Sequence, residues 1–335
     1  MESKENILLI RLKSIGDIIF TLPAVHVARE NFPDAKFHFL VSREFAPLLR
    51  GFPGIDYIIP FDRAVFHSGN VRDISASTFR LLRDLRQTNF SRVIDFQGYG
   101  ETEFFSWWSG APERWGNVYT KSRGWTYTQI SLRDGKIHPA EWNLSLLRRC
   151  GLKIGAVRNE FVLPADALAK ARKFFVANNL DETKTTLYIQ PFTSNTKKNW
   201  PVKNFMKLAW HWHCRGVQIL FGGSLSERDA LEPAASAGFP ISAGAPLLVS
   251  AGVMKLSTLI VGADTGLLHL ANAMGKRIVM LMQSNAPGTP HPFQHADWTV
   301  TPPDGKIVAE IESDAVIETC ARAFAELGVE KNHEK

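Results

Sequence analysis

LIVGADTGLLHLANAMG, residues 259–275, is the stretch whose reading decides the fold. A short apolar run at 259–262 has the character of a buried strand. It stops at Ala263-Asp264-Thr265-Gly266, and helical apolar periodicity starts at Leu267. A strand, a glycine-containing turn and a helix N-terminus follow one another directly. The first amides of a helix have no intrahelical partner and face the positive end of its dipole, so such a turn suits an anion. Thr265 and His269 are four apart and share the face of the first turn. Taken singly, Asp264 reads as a cap, Gly266 as a turn glycine and His269 as a core residue. All three together, behind a buried strand, point to a phosphate or diphosphate site.

At 335 residues the chain has room for two domains, and 45% hydrophobic with 21% charged residues makes it globular, not disordered. No apolar run approaches the ~18 residues of a membrane span, and the N-terminus (MESKEN, then ILLI) has no signal-peptide pattern. A cytoplasmic protein is expected. Cys150, Cys214 and Cys320 are far apart and form no C-x-x-C pair, which argues against disulfides and thiolate metal sites. His211, His213 and Cys214 fall within one helical stretch, where positions two apart diverge around the axis, so no metal is expected there. A formal net charge of +6 favours an anionic partner: a phosphorylated substrate or an anionic membrane surface. The basic residues are scattered and no nucleic-acid module is present, so nucleic acid ranks last.

From the N-terminus, strands are expected at 6–11 (NILLIR), 37–41, 57–59 and 92–96 (RVIDF). Helices are expected at 18–30 (the regular part capped by Thr21), 44–50, 75–87 and 138–150. The 101–110 segment, ETEFFSWWSG, reads as a short helix too aromatic to face one side, hence core plus an interface or an exposed rim meeting lipid or sugar. Residues 111–137 read as loop-rich, with Arg114, Lys121, Arg123 and Arg133 among Trp and Tyr: a surface or an acceptor site. A domain boundary is placed at 165/166. Beyond it the alternation resumes, with helices at 166–178, 202–215, 226–238 and 247–256 and strands at 185–190, 217–221, 240–242 and 277–282. Residues 283–304 read as a proline-rich loop, and a last helix covers 313–327. This alternation predicts βαβ units and parallel sheets, an α/β chain.

Ligands of open α/β sheets bind at the carboxyl ends of strands. Four loops there carry candidate chemistry. Lys13–Asp17 falls short of G-x-G-x-x-G and is followed by no ribose-binding acid, which disfavours a nicotinamide dehydrogenase. Its Asp17 is either a helix cap or, facing a cleft, a base for an attacking hydroxyl. Residues 193–201, TSNTKKNWP, set Thr193, Ser194 and Lys198 before a helix start; they read as a diphosphate loop or as solvated lysines. Gly222-Gly223-Ser224 leads to Glu227, a ribose acceptor or a first-turn acid. The fourth loop is the Asp264–His269 turn.

ILLIRLKSIGDIIFTLPAV at 7–25, DFQG at 95–98, T-x-x-x-x-K-x-W-P at 193–201 and GADTGLLHLANAMG at 262–275 together resemble the family-nine glycosyltransferases, the lipopolysaccharide heptosyltransferases and their relatives. The resemblance runs from about residue 6 to 282. It implies a GT-B fold: two Rossmann-like parallel-sheet domains facing across a cleft. The N-terminal acceptor-side domain would cover 1–165 and the nucleotide-sugar domain 166–312, with a helix at 313–330 returning to the first domain. It also implies inverting, metal-independent transfer of heptose from ADP-heptose to the Kdo/heptose inner core on lipid A, without a cofactor, at the cytoplasmic face of the inner membrane. By the resemblance Asp17 is the general base. Thr193 and Lys198 bind the diphosphate, with Ser194 in the same donor loop, Glu227 binds the ribose, and Asp264, Thr265, Gly266 and His269 form the donor turn. The chain departs from the pattern after Met282, reading QSNAPGTPHPF. Two other readings are a family-nine enzyme with another donor or acceptor (O-antigen, capsule or protein) and a nucleotide-sugar-binding or epimerase-type protein.

Overall fold

The computed structural model describes residues 5–62, 71–120, 122 and 124–329, with 71–77 as backbone only. Lys121 and Arg123 lie outside the described residues. The chain divides into two compact units, 1–161 and 162–335, a few residues before the expected boundary.

In the first unit β1 (Asn6–Ile10), β2 (Lys36–Ser42), β3 (Tyr57–Phe61), β4 (Arg92–Asp95), β5 (Glu113–Val118) and β6 (Gln129–Leu132) form one sheet in the order β3-β2-β1-β4-β5-β6. The second unit repeats the plan with β7 (Thr186–Gln190), β8 (Gln218–Gly223), β9 (Ile241–Ala243), β10 (Leu259–Ala263), β11 (Ile278–Leu281) and β12 (Thr299–Val300), ordered β12-β11-β10-β7-β8-β9. The described strand pairs are all parallel. Helices supply the crossovers. The two sheets with their flanking helices have the GT-B architecture.

The central strands are apolar because both faces are covered. Leu8, Leu9 and Ile10 of β1 and Leu259, Ile260 and Val261 of β10 are fully buried. Each such side chain stabilises the fold by about 1.5–3 kcal/mol relative to exposure. Trp200, also buried, donates its indole N–H to the Ile311 carbonyl at 2.8 Å. The last helix, Ser313–Glu326, packs on the Val202–His213 helix and on β10, β11 and β12.

Several elements differ from the sequence expectation. Residues 111–137, expected to be loop-rich, also hold two strands, β5 and β6. The ERWGNV of β5 lacks an apolar run, and Gly116 in it is required by the Tyr127 ring, which lies 2.5 Å from where a Cβ would stand. The helix expected at 226–238 is broken into 3₁₀ turns and a short helix, Glu232–Ser236, that starts around Pro233. The 18–30 helix is two helices, Ile15–Ile19 and Leu22–Asn31, with Thr21 at the N-cap of the second. Edge strand β12 lies inside the expected proline-rich loop.

Gly262 pairs with Gln190 across β10 and β7, and a Cβ at Gly262 would stand 2.4 Å from the Gln190 carbonyl oxygen. That oxygen belongs to backbone and cannot swing away. Gly262→Ala is therefore expected to destabilise the protein by about 1–3 kcal/mol, read as a lower melting temperature. An unchanged melt would show that the two strands can part at no cost.

Candidate functional site

Strand order reverses between β7 and β10, and the loops following both strands carry the candidate donor residues. Such a switch point leaves a crevice at the strand ends where α/β proteins take ligands. After β10, the helix Gly266–Ala273 is capped by Thr265, whose hydroxyl accepts the Leu267 N–H at 3.0 Å. Taken singly in the sequence, Asp264 is the candidate for this capping role. With Thr265 in it, the Asp264 carboxylate is free for other work.

Asp264 Oδ2 accepts the Lys198 ammonium at 2.7 Å, and its Oδ1 lies 3.3 Å from His269 Nε2. Burial works to raise the Asp264 pKa, but hydrogen bonds and charge from His269 and Lys198 outweigh it and hold the carboxyl below its ordinary value. The Lys198 side chain is still 44% exposed, against 10% for Asp264, so the ammonium is anchored on one side and open on the other. Among the described residues no acceptor meets the Gly266 N–H. An exposed, prepositioned cation beside a helix N-terminus is an arrangement chemically suited to a diphosphate.

The loop after β7 is shaped by a residue the sequence reading passed over. Asn199 Oδ1 accepts both the Thr193 N–H at 2.9 Å and its hydroxyl at 3.0 Å. The Thr193 hydroxyl is also 2.7 Å from the Asn195 carbonyl, so this residue builds the loop that carries Lys198. Ser194 is exposed on the same loop. The structure thus brings Lys198, Asp264 and His269 into contact, with Thr265 and Gly266 at the same turn.

Glu227 follows β8 and turns back on its own loop, where Oε2 accepts the Ser224 N–H at 2.7 Å in a capping box. The phenol of buried Tyr188 is pushed up by burial and then by the Glu227 charge.

In the first unit the strand order reverses between β1 and β4, and Asp17 sits in the helix that follows β1. Its Oδ2 is 2.6 Å from Arg11 Nη2 and 3.3 Å from both the N–H and the hydroxyl of Ser14. The DFQG loop after β4 is held from within. Buried Asp95 accepts the Gln97 and Gly98 N–H groups on Oδ1 and the Tyr127 hydroxyl on Oδ2, and burial nonetheless raises its pKa. Arg133 and Arg114 are tied to backbone carbonyls, Arg133 to Phe96 and Gln97, Arg114 to Thr126 and Ala111. Arg11 was missed in the sequence. The signal available was a charge placed directly behind the apolar run 7–10, where a cation is rarely buried without a partner.

The profile of Glycosyltransferase family 9 (heptosyltransferase) matches residues 78–306, more than half of the chain. The chain belongs to glycosyltransferase family 9. It is similar to the lipopolysaccharide core heptosyltransferase OpsX of Haemophilus influenzae, 20% identical with 90% of this chain and 85% of the relative covered. Among solved structures it resembles a family 9 glycosyl transferase from Veillonella parvula (TM-score 0.85, 18% identity, 97% and 99% of the two chains). It also resembles the Escherichia coli heptosyltransferase WaaC solved with ADP (TM-score 0.77, 20% identity, 95% and 99%). Family membership makes the chain a glycosyltransferase and disfavours the epimerase reading.

The Asp264 carboxyl gives a pH test. Its pKa is lowered in the folded state, so the stability it contributes is present above the unfolded carboxyl value and is lost as pH falls through the folded one. Asp264→Asn should melt below wild type at pH 7, and the gap should close in acid. A gap that persisted at a pH below the folded value would remove the ionised carboxylate as its cause.

Proposed function

We propose that this chain transfers heptose from ADP-heptose to the Kdo/heptose inner core of lipopolysaccharide, with inversion at the anomeric carbon. The observation that carries the reading is the Lys198–Asp264–His269 group beside the Gly266 helix N-terminus. As the anomeric C–O bond breaks, negative charge develops on the departing diphosphate, and Lys198 with the turn amides stabilises it. Asp17 takes the proton of the acceptor hydroxyl as its oxygen attacks in line from the opposite face. Thr193 and Ser194 line the diphosphate loop, and Glu227 offers its second carboxylate oxygen to the ribose. The H. influenzae relative's name and the ADP in the WaaC structure support both substrates.

The test is ADP release from a panel of sugar nucleotides with and without Kdo-lipid A. Release that requires both ADP-heptose and the acceptor is expected. Release from another donor would keep the family and discard heptose. Asp17→Asn is expected to lower turnover by roughly 10²–10⁴-fold with donor binding intact. Lys198→Ala should weaken ADP binding and slow turnover together, and an unchanged ADP affinity would remove Lys198 from the site.

Peripheral contact with an anionic membrane belongs to the same proposal. Helix Gly100–Trp108 buries Phe105 but exposes Phe104, Trp107 and Trp108. Trp108 donates its indole N–H to the Leu82 carbonyl of helix Val71–Gln87, on which Phe79, Arg83 and Arg86 are exposed along one stripe. Among the described residues no helix is long and apolar enough to cross a membrane. Aromatic rings beside arginines suit the headgroup layer. The double substitution Trp107→Ala with Arg83→Glu should reduce co-flotation with anionic vesicles, and equal flotation would dismiss the patch.

A further inference from the structure

Arg11 stands directly behind β1, and its side chain is buried, yet each nitrogen of the guanidinium is committed. Nε donates to the Lys13 carbonyl at 2.9 Å, Nη1 to the Phe96 carbonyl at 3.0 Å, and Nη2 meets Asp17 Oδ2 at 2.6 Å. The first and third contacts grip the 13–17 turn at its backbone and at its carboxylate. The second ties that grip to the end of β4. Asp17 itself is 40% exposed, on the open side of a five-residue helix whose Ile18 and Ile19 are buried.

The donors that converge on Asp17 converge on one oxygen. Arg11 Nη2, the Ser14 N–H and the Ser14 hydroxyl all reach Oδ2. A second guanidinium lies close: Arg133 Nη2 donates to the same Phe96 carbonyl at 2.9 Å. Burial lowers the Arg133 pKa, the Arg11 charge lowers it further, and Asp17 is among the groups that offset this. The contacts to Arg11 and Ser14 thus leave Oδ1 untouched on a side chain that is 40% exposed.

We propose that Arg11 is a positioning residue for the transfer step, clamping Asp17 through Oδ2 so that Oδ1 is the oxygen that receives the acceptor proton. This rests on the reading of Asp17 as the base. A fork is required, because the clamp holds two carbonyls and a carboxylate at once. Lysine, a single point of charge, cannot reproduce it. A base displaced by about 1 Å loses on the order of 10²-fold in rate, so the effect belongs in kcat.

The experiment measures kcat, the KM for sugar nucleotide and the melting temperature of Arg11→Met, Arg11→Lys, Asp17→Asn and Arg11→Met/Asp17→Asn in the full chain. Arg11→Met is expected to lose about 10²-fold in kcat with the donor KM changed less than about twofold, and Arg11→Lys to recover part of the loss. In the Asp17→Asn background, Arg11→Met should cost little more, because the two act as one unit. Wild-type kcat in Arg11→Met overturns the proposal. So does a full additional loss in the double variant, which would mean that Arg11 supports the fold and not the carboxylate. Should Arg11→Met fail to fold, wild-type kcat in Arg11→Lys overturns it equally. A fully active Asp17→Asn enzyme would instead sink the base reading, and this inference with it.

Discussion

Each sheet reverses its strand order once, between β1 and β4 in the first unit and between β7 and β10 in the second. A parallel strand must return by a right-handed crossover, so the helices after the two central strands lie on opposite faces and their loops part above the reversal. Four of the candidate carboxylates and cations are placed by that constraint. Lys198 follows β7 and Asp264 follows β10, while Asp17 follows β1 and the Asp95 loop follows β4. Close approach of the central strands makes the arrangement tight, and Gly262 marks where the backbone of one strand leaves no room for a side chain on the next.

Both units then solve the same electrostatic problem at that point. A carboxylate at the end of a buried strand is costly unless cations or donors meet it. Asp264 is met by Lys198 and His269, and Asp17 by Arg11 and Ser14. The two pairs differ in which partner is open to water. In the second unit the cation is the more exposed member, as suits a group that meets an anion. In the first the carboxylate is the more exposed, 40% against 8% for its arginine, as suits a group that meets a hydroxyl. The chemistry proposed for each unit follows from that asymmetry.

Much of this was legible in the sequence where burial on both faces leaves an unbroken apolar run. The strand, turn and helix at 259–275 are a clear case. The legibility failed for β5, β6 and β12, which lie towards or at sheet edges and carry polar residues and glycine, and for the helix split near Pro233. Residue types at the site were readable from the loops, but their partnerships were not. Lys198 and Asp264 are 66 positions apart, and no local pattern announces that Thr265 takes the cap and leaves Asp264 free. Asn199 and Arg11 shape their loops through carbonyls and carboxylates that only the fold brings near. Glu227 shows the converse, since the ordinary capping reading of its position describes one of its oxygens fully.

The two sheets share no strand, and each carries its own reversal and its own paired carboxylate. A substitution in the loops of one unit leaves the strand register of the other untouched. On the proposed reading the chain is modular with respect to mutation: acceptor preference can drift in the first unit while the donor residues of the second stay constant. Descendants of such a protein can diversify the sugars they build upon without having to reinvent how they hold the one they deliver.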